Sequence, residues 1–333
     1  MIFCCFFSIL VWHGMKTYKI LCEKKTRLDE LLRRKLPVLL NAEISNSKIR
    51  RLITAGGINV NQRQIFVPSF VVFAGSAVTA FIDEEKLFYE KQPDDIKFEL
   101  SPKDVLFEDQ YIIIVNKPSR FPTEKSVVES RDNLHDAVVR YLFEKQKIES
   151  PNAKNPPYCG IMHRLDRDTS GAVLFTKKRE VNAACHDLFE KHLAKKTYVA
   201  AVSKLPGQKK FSVSFTMGRI SPKGQQAKWG RLSESRGGLE SATEFEFFRE
   251  SRGFFLFYCR LFTGRTHQIR VHLSDCGCPI LGDGLYGGKP FSRMMLHALS
   301  LSFVHPVTKK LIQVTAPLPK EFLEGQENKN ART

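Results

Sequence analysis

The chain contains 333 residues, which is enough for about two domains. Hydrophobic residues make up 42% of it, so a sizeable core is available. Lysine and arginine number 52 against 35 acidic residues, a formal net charge of +17. This excess argues against an ordinary near-neutral enzyme and favours a polyanionic partner, with nucleic acid ahead of an anionic membrane surface. A basic surface that only interacts with solvent is the plainer alternative.

The eight cysteines include no C-x-x-C pair and no Cys/His set with zinc-finger spacing, so no metal site is expected. Scattered cysteines in a chain of this size are typical of a reducing compartment, and a cytoplasmic protein is expected. Residues 2–12 are almost wholly apolar, but they are too few to cross a bilayer. We expect translation to start at Met15, with a short signal or anchor as the alternative, so residues 1–25 are interpreted as an extension.

Residues 26–85 are predicted to form a small basic unit. Apolar positions 28, 31, 32 and 36 give a helical stripe over Arg27–Leu36, which Pro37 follows. A second helix is predicted over Lys48–Ala55, with Ser45 or Ser47 as its N-cap. Three strand-like runs come next, at Ile58–Asn61, Ile65–Val67 and Ala77–Ile82.

The polar face of the second predicted helix carries Lys48, Arg50 and Arg51. Between Lys16 and Asp83 there are 12 basic and 5 acidic residues. The run Ser47–Ile53, followed by Gly57–Asn61, resembles the S4 RNA-binding domain. That resemblance implies phosphate contacts from four side chains, Arg27, Lys48, Arg50 and Arg51. The alternative is a basic helix face that is only solvated.

Residues 86–103 are polar and contain two prolines, so they are predicted to be a linker to a larger unit, residues 104–320. A buried strand is predicted over Tyr111–Lys117 and helices over Leu134–Phe143 and Glu180–Leu193. Many short strands are predicted after the second of these helices. They are Lys195–Val202, Phe211–Phe215, Ala242–Phe248, Phe254–Phe262, Leu296–Phe303 and Leu311–Ala316.

Three further segments have local signals. The glycine-rich insert Gly218–Gly238 is predicted to be either a flexible arm or a set of exposed hairpins. A short helix is predicted over Thr266–Leu273, with Thr266 as N-cap and Gly277 just beyond its C-terminus. Residues 321–333 are polar and are predicted to be disordered.

The stretch Gly160–Gly171 has the highest density of chemically useful side chains. It carries His163, Arg164, Asp166, Arg167 and Asp168, and it leads directly into the apolar segment 172–175. Charged groups beside a buried strand are unfavourable unless they pair or perform chemistry. An ion-paired loop capped by glycine and a catalytic loop are both compatible with this spacing.

At His163-Arg164-Leu165-Asp166-x-x-Thr169-Ser170-Gly171 the sequence resembles pseudouridine synthases of the large-ribosomal-subunit type, the RluA family. Further matches follow the order of that family, and an S4 domain ahead of the catalytic domain is a common arrangement there. These matches are Asn116-Lys117-Pro118, Lys196-Thr197-Tyr198-x-Ala200, Gly264–His272, Gly282-Asp283-x-x-Tyr286-Gly287, Leu296-His297-Ala298 and His305-Pro306.

The resemblance implies an α+β pseudouridine synthase fold: a bent, mostly antiparallel mixed sheet with flanking helices, preceded by the S4-like unit. It implies an enzyme that detaches uracil from its ribose at N1 and reattaches it through C5. The implied substrate is ribosomal RNA, with 23S rRNA as the preferred candidate. This isomerisation involves no redox change and no added group, so no cofactor is expected. RNA is the expected partner, without a membrane, and a monomer is the default.

The resemblance also implies roles for single residues. Asp166 matches the catalytic aspartate, and Arg270 matches the arginine that pairs with it. Ile269 matches the apolar residue that packs against the base, and Tyr198 matches the tyrosine that stacks on the uracil. Arg164 matches the residue thought to fill the space that the extruded uridine leaves. Without the resemblance, Arg270 is interpreted as a surface helix residue and Tyr198 as a core aromatic.

Several alternatives stay open. Asp166 and Asp168 share a face of an extended chain, which permits a glycosidase with paired carboxylates, although Asp168 is more typical of a loop ion pair or cap. His163, His267 and His272 are interpreted as structural or RNA-contacting. A non-catalytic RNA-binding or ribosome-assembly protein on the same fold is the main functional alternative. Segment Arg120–Asp132 departs from the family pattern, which usually has His-Pro there, and this departure bears on substrate choice.

Overall fold

The structure, a computed structural model, describes residues 16–82, 87, 95–125, 131–221, 227–251 and 253–324. The chain divides into two compact units. The described residues up to Leu87 belong to the first unit, and those from Asp95 onward belong to the second. In the described part of the chain, no helix is both long and apolar enough to cross a membrane. The apolar residues 2–12 lie outside the described residues.

The first unit packs two helices, α1 (Leu28–Leu40) and α2 (Asn46–Thr54), on a four-stranded antiparallel sheet. The sheet has the order β1 (Lys16–Leu21), β6 (Ala77–Ile82), β3 (Ile58–Val60) and β4 (Arg63–Ile65). Strand β2 (Thr26–Arg27) lies directly before α1 and pairs with β5 (Val71–Val72) in a short two-stranded ribbon. The apolar stripe predicted for α1 is buried, and the hydroxyl of Ser45 accepts a hydrogen bond from Lys48 N as the predicted N-cap.

Three boundaries of this unit differ from the sequence-based expectation. Strand β1 belongs to the sheet although it falls in the predicted extension; its alternation is weak because it is an edge strand with one buried side chain, Ile20. Helix α1 continues through Pro37 to Leu40, because Pro37 removes a single intrahelical bond near the C-terminus and Leu36 stays buried. Strand β4 spans Arg63–Ile65 rather than the predicted Ile65–Val67. Asn61 and Gln62 have left-handed backbone conformations and form a two-residue hairpin turn, so the strand begins directly after them.

The second unit is built on an 11-stranded sheet. Nine strands follow one path: β13 (Trp229–Arg231), β12 (Lys210–Arg219), β14 (Leu239–Ser251), β15 (Phe254–Leu261), β11 (Lys195–Val202), β16 (Leu296–Val304), β10 (Ser170–Thr176), β8 (Ile112–Lys117) and β7 (Val105–Glu108). Two more strands pair beside this path, β9 (Gly160–Ile161) with β10 and β17 (Leu311–Thr315) with β16. All neighbours are antiparallel except β10 and β16. The prediction of a mixed, mostly antiparallel sheet is therefore confirmed.

Four helices accompany this sheet: α3 (Leu134–Glu149), α4 (Asn182–Glu190), α5 (Gln268–Asp275) and α6 (Glu321–Glu324). Every residue of β10 is buried, as expected for a strand covered on both faces. Helix α3 begins where Asn133 accepts a hydrogen bond from Asp136 N. Helix α3 extends six residues beyond the predicted Leu134–Phe143.

The parallel pair β10–β16 joins the two halves of the sheet through only two residue pairs, Ser170 with His297 and Gly171 with Ala298. Gly171 has φ +117°, and a Cβ atom there would lie 2.2 Å from Ala298 O. Any side chain would therefore collide with the neighbouring backbone, so the close approach requires glycine. We call this two-residue pairing the seam of the sheet.

Four predictions for the second unit need correction. Part of the predicted linker packs on the core, since Leu100 is buried. The predicted tail contributes α6, whose Phe322 is fully buried, while residues 325–333 lie outside the described residues. The insert contains the hairpin β12–β13, with residues 222–226 outside the description. Helix α5 begins at Gln268 rather than beside Thr266, because His267 occupies the N-cap position with φ 59°. Gly277 does follow its end with φ +70°.

Candidate active site

Asp166 lies in the loop between β9 and β10, which we call the carboxylate loop (residues 164–168). Four consecutive carbonyl groups of this loop and its flanks are hydrogen-bonded. Leu165 O accepts from the Thr123 hydroxyl at 2.8 Å, Asp166 O from Thr169 N at 3.1 Å, and Asp168 O from the Ser119 hydroxyl at 2.7 Å. Arg167 O accepts from both Lys117 Nζ at 2.9 Å and Phe121 N at 3.1 Å. The segment Lys117–Thr123 therefore fixes the backbone that carries Asp166.

Lys117 is fully buried at the end of β8. Its Nζ donates to Pro118 O at 2.9 Å, Phe121 O at 2.6 Å and Arg167 O at 2.9 Å. Burial lowers the pKa of Lys117 to about 7, against the opposing charges of Asp168 and Asp166. An ammonium group has three protons for these three acceptors, so the protonated form satisfies all of them.

For the RNA-modifying role that the resemblance implies for Asp166, we expect Thr123→Val to lower turnover while leaving the KM for RNA nearly unchanged. The change removes the hydroxyl that accepts from Leu165 N at 3.2 Å and donates to Leu165 O. Two buried backbone groups lose their partner, at a cost of about 1–3 kcal/mol in the free energy of unfolding. A small shift of Asp166 is enough to reduce kcat by about 10- to 100-fold. Steady-state kinetics and chemical unfolding measure the two effects.

Thr169→Val is the matched control for stability. The Thr169 hydroxyl is buried and has no hydrogen-bond partner among the described residues. The same isosteric change should therefore leave the free energy of unfolding equal or slightly higher. Equal destabilisation by both substitutions would contradict the role assigned to the Thr123 hydroxyl.

Arg270 on α5 connects two acids. Its Nη1 donates to Asp166 Oδ2 at 3.1 Å, while Nε and Nη2 donate to the two oxygens of Asp283 at 2.7 and 2.9 Å. Burial lowers the pKa of Arg270, but the hydrogen bond to Asp283 and the charges of both acids outweigh burial and raise it. Asp283 itself is 1% exposed. The guanidinium is therefore held in place by one buried acid and presented to the other.

His267 and Tyr286 complete this arrangement. Tyr286 Oη accepts from Trp229 N and lies 2.9 Å from His267 Nδ1. His267 Nε2 lies 3.7 Å from Asp166 Oδ2. Burial lowers the pKa of His267, although the Asp166 charge opposes the change. The Tyr286 ring also lies under the Arg270 guanidinium, at 4.9 Å.

Tyr198 lies on β11, where a register shift between Thr197 and Tyr198 interrupts the pairing with β16. Its ring packs against two of the hydrophobic clusters of the second unit. Burial raises the pKa of the phenol, and the nearby charge of Asp166 raises it further. The phenol therefore stays protonated at neutral pH. Ile269, the residue before Arg270, is 4% exposed and belongs to the core cluster around β11 and β15.

The other acid and the basic residues of the carboxylate loop have separate partners. Asp168 pairs with Arg167 at 2.5 Å, which agrees with its interpretation as a loop ion pair. Arg167 also donates to Asp95 Oδ1 at 2.7 Å. The Arg164 side chain is 59% exposed and pairs with Glu124. The structure therefore brings together Asp166, Arg270 and Tyr198, leaves Arg164 at the surface, and keeps Asp168 out of that group.

Sequence reasoning assigned no site role to Asp283, Tyr286, Lys117 or Thr123. Asp283, Tyr286 and Lys117 lie in motifs that matched the family, and this match could have indicated a role in the site. Thr123 stands in a segment that departs from the family pattern, and nothing in its sequence context indicated a contact with Leu165. Lys48, Arg50, Arg51 and Arg27, the predicted RNA contacts, all belong to the first unit.

The described residues contain one cluster with metal-ligand geometry, formed by His186, Asp187 and Glu190 on α4. These groups already pair, His186 with Glu190 at 3.2 Å and Asp187 with Lys191 at 2.7 Å. Asp166 is not a member of this cluster. The site geometry therefore rests on carboxylate, guanidinium and phenol groups.

Three histidines of the second unit have lowered pKa values, so a proton on them is unfavourable in the folded protein. Burial lowers the pKa of His163 to about 3 and those of His272 and His297 to about 4. His297 is fully buried at the seam, where its Nδ1 lies 2.8 Å from the Ser170 hydroxyl and its Nε2 lies 3.4 Å from Ala316 O. Ser170 also accepts from Arg293 Nη2 at 2.6 Å.

We expect His297→Asn to flatten the pH dependence of stability between about pH 6.5 and pH 4. In that window the unfolded chain binds a proton at His297 that the folded chain does not, so the free energy of unfolding falls as the pH is lowered. One such group contributes about 1.4 kcal/mol per pH unit. Chemical unfolding across this range measures the slope. An unchanged slope in His297→Asn would contradict this assignment.

Comparison with known proteins agrees with this geometry. A family model described as RNA pseudouridylate synthase matches residues 111–275. The RNA pseudouridine synthase YhcT of Bacillus subtilis is 33% identical over 80% of this chain and 82% of its own. Ribosomal large subunit pseudouridine synthase D of Haemophilus influenzae is 28% identical over 90% of this chain and 89% of its own.

A third relative and a solved structure extend the comparison. Ribosomal large subunit pseudouridine synthase C of Buchnera aphidicola is 29% identical over 89% of this chain and 91% of its own. The structure of human RNA pseudouridylate synthase domain containing 4 has a TM-score of 0.52 at 21% identity and covers 66% of this chain and 90% of its own, which shows a shared fold. The sequence similarity, the fold and the motifs that surround Asp166 together show that this chain is an enzyme of the RluA-type RNA pseudouridine synthase family.

Proposed function

We propose that this enzyme isomerises uridine to pseudouridine in ribosomal RNA of the large subunit, with Asp166 as its catalytic carboxylate. The observation that carries the proposal is the 3.1 Å hydrogen bond from Arg270 to Asp166, which joins segments 104 residues apart. The Arg270 guanidinium holds the carboxylate of Asp166 in place, and a carboxylate can attack or stabilise an electron-poor ribose C1′. Asp283 holds Arg270 in place from the opposite side.

The proposed reaction breaks the bond between uracil N1 and ribose C1′, rotates the detached base and joins C5 to C1′. Ionised Asp166 accounts for the charge that develops at C1′ in the first step. C5 loses its proton after the new bond forms, and N1, which is no longer bonded to the ribose, gains one, so the proton count of the product equals that of the substrate. Because the pKa of Tyr198 is raised, its ring is better suited to stack on uracil than to act as a base.

The ribosomal substrate is supported by the relatives, two of which carry ribosomal large subunit in their names. The net charge of +17 is consistent with a polyanionic RNA. We further propose that the first unit is an S4-like RNA-binding module, in which Arg27, Lys48, Arg50 and Arg51 contact phosphates. Arg164, exposed beside the carboxylate loop, is proposed to occupy the gap left by the extruded uridine.

Two alternatives make different predictions. A non-catalytic RNA-binding protein on this fold does not need a buried Asp283 that orients Arg270 toward Asp166, so the intact arrangement favours catalysis. An N-glycosidase would release uracil and leave an abasic ribose. Asp168 is paired with Arg167, which disfavours the paired-carboxylate version of that reaction.

The test is a pseudouridine map of total RNA from a strain that lacks this enzyme, made by carbodiimide labelling and reverse transcription. We expect at least one stop in large-subunit ribosomal RNA to disappear and to return when the wild-type enzyme is supplied. An unchanged map would refute the synthase proposal for ribosomal RNA. Loss of a stop in transfer RNA alone would identify transfer RNA as the substrate instead. Abasic sites in the complemented strain would favour the glycosidase.

A further inference from the structure

A loop of the first unit exposes a large apolar surface. Between β4 and β6, the side chains of Phe66, Val67, Phe70, Val71 and Phe73 are all exposed, with Phe73 at 60% and Phe66 at 53%. Exposed aromatic side chains grouped in this way are characteristic of interaction sites.

The ribbon β2–β5 places part of this surface beside two cations. Thr26 pairs with Val72 and Arg27 pairs with Val71. Directly opposite residues of an antiparallel ribbon share a face, and side chains alternate along each strand. Val72 is buried, so Arg27, Val71 and Phe73 share the outer face. Lys25 Nζ lies 5.4 Å from the Phe73 ring centroid, within the range of a cation–π contact.

A cavity of about 230 Å³ adjoins this face at Arg27. Its lining consists of Arg27, Asp29, Glu30, Arg33, Asn46, Ile49 and Arg50. Asp29 is 7% exposed; it accepts from Arg27 at 3.1 and 3.0 Å and lies 3.5 Å from Arg50 Nε. Asp29 therefore positions two guanidinium groups at the cavity, where Arg27 also lies 4.0 Å from Glu30.

Backbone hydrogen bonds connect the aromatic loop to the same place. Leu28 N donates to Phe70 O at 2.8 Å, and Asp29 N donates to Pro68 O at 3.0 Å. The start of α1, the guanidinium pair and the exposed aromatic loop thus form one continuous surface. Residues 16–82 contain 12 basic and 4 acidic residues, so the surface belongs to a strongly cationic unit.

We propose that this surface binds an unpaired nucleotide of the RNA, with its base stacked on Phe73 and an adjacent phosphate held by Arg27 and Arg50 at the cavity. The inference rests on the proposed RNA-binding role of the first unit and specifies what that unit recognises. Alternating cations and aromatic rings suit single-stranded nucleic acid, because every base offers a π face beside a charged backbone. A purely apolar partner on Phe73 would bury the Lys25 ammonium without a polar group to replace water.

The test uses the full-length enzyme and two RNA probes, a single strand that contains 2-aminopurine and a blunt duplex of the same sequence. We expect the wild type to quench 2-aminopurine fluorescence on binding. Phe73→Ala should weaken binding of the single strand by about 5- to 150-fold and abolish the quenching, because one stacked base contributes about 1–3 kcal/mol. Duplex affinity should change little.

Two variants separate stacking from general apolar contact. Phe73→Trp keeps a π face and should retain quenching, whereas Phe73→Leu keeps bulk and should lose it. If Phe73→Ala does not fold, Phe73→Leu tests the stacking contact in its place. Val38→Ala is the control, since Val38 is an exposed apolar residue of α1 with no ring. It should bind both probes as the wild type does.

Three results would overturn the proposal: unchanged quenching in Phe73→Ala, full retention of quenching in Phe73→Leu, or equal weakening for both probes. A change in self-association with RNA binding intact would instead identify a protein contact. Pseudouridine formation is scored separately on the same samples. If a variant loses quenching but still forms pseudouridine, the nucleotide contact of the first unit is separate from the isomerisation. If the wild-type enzyme quenches but makes no pseudouridine, only the proposed reaction is contradicted.

Discussion

Asp166→Asn is expected to abolish pseudouridine formation while the RNA still binds. Asparagine keeps the shape of the side chain and a hydrogen-bond acceptor for Arg270, but it removes the negative charge that the reaction at C1′ requires. Loss of a nucleophilic group of this kind reduces kcat by about 10⁴-fold or more. Release of tritium from 5-tritiated uridine in a target transcript measures the rate, and a filter-binding titration measures the affinity.

Asp168→Asn is the matched control, because it makes the same change two residues away in the same loop. The Asp168 carboxylate pairs with Arg167 of the same loop. We expect its turnover to remain within about threefold of the wild type, as for a surface ion pair. Full activity of Asp166→Asn, or loss of activity in Asp168→Asn alone, would move the catalytic assignment from one carboxylate to the other.

Arg270→Met should damage both stability and turnover. The change keeps most of the volume of the side chain but leaves Asp283, a buried acid, without its bidentate partner. Removal of one member of a buried pair costs about 3–5 kcal/mol. Asp166 also loses its cation, so turnover should fall by about 10²-fold or more, by analogy with the loss of one preorganised donor. Thermal unfolding and tritium release report these two losses.

A second substitution separates the two losses. In Arg270→Met with Asp283→Asn, the buried position carries no unpaired charge, so much of the free energy of unfolding should return. Turnover should not return, because Asp166 still lacks the guanidinium. If activity recovers together with stability, Arg270 acts through the fold and its contact with Asp166 is not part of the catalytic arrangement.

Local patterns were enough to predict much of the fold. The apolar stripe of α1, the cap at Ser45 and the buried strands β8 and β10 all follow from side-chain periodicity and end signals. The density of charge in residues 163–168 also indicated the carboxylate loop. These features are local, so a single sequence contains the information that specifies them.

The remaining features depend on long-range contacts. Lys117 and Arg167 are 50 residues apart, and Thr123 and Leu165 are 42 apart, so no local pattern reveals that one segment holds the backbone of the other. The same holds for Phe322 of α6, which lies in a polar context yet packs into the core. Strand β1 was missed because an edge strand with one buried side chain has little alternation.

The seam has a consequence for how this enzyme loses activity. Asp166 precedes β10 on one side of the two-residue pairing, whereas Tyr198 and Arg270 belong to the other side. If this short pairing opened while the antiparallel pairs on either side persisted, the carboxylate would separate from its partners in a molecule that is still largely folded. Amide hydrogen exchange at Gly171 and Ala298 should then proceed by a sub-global opening, and acidification toward pH 4, where His297 takes up a proton, should lower the protection factors there before it affects the core of β11.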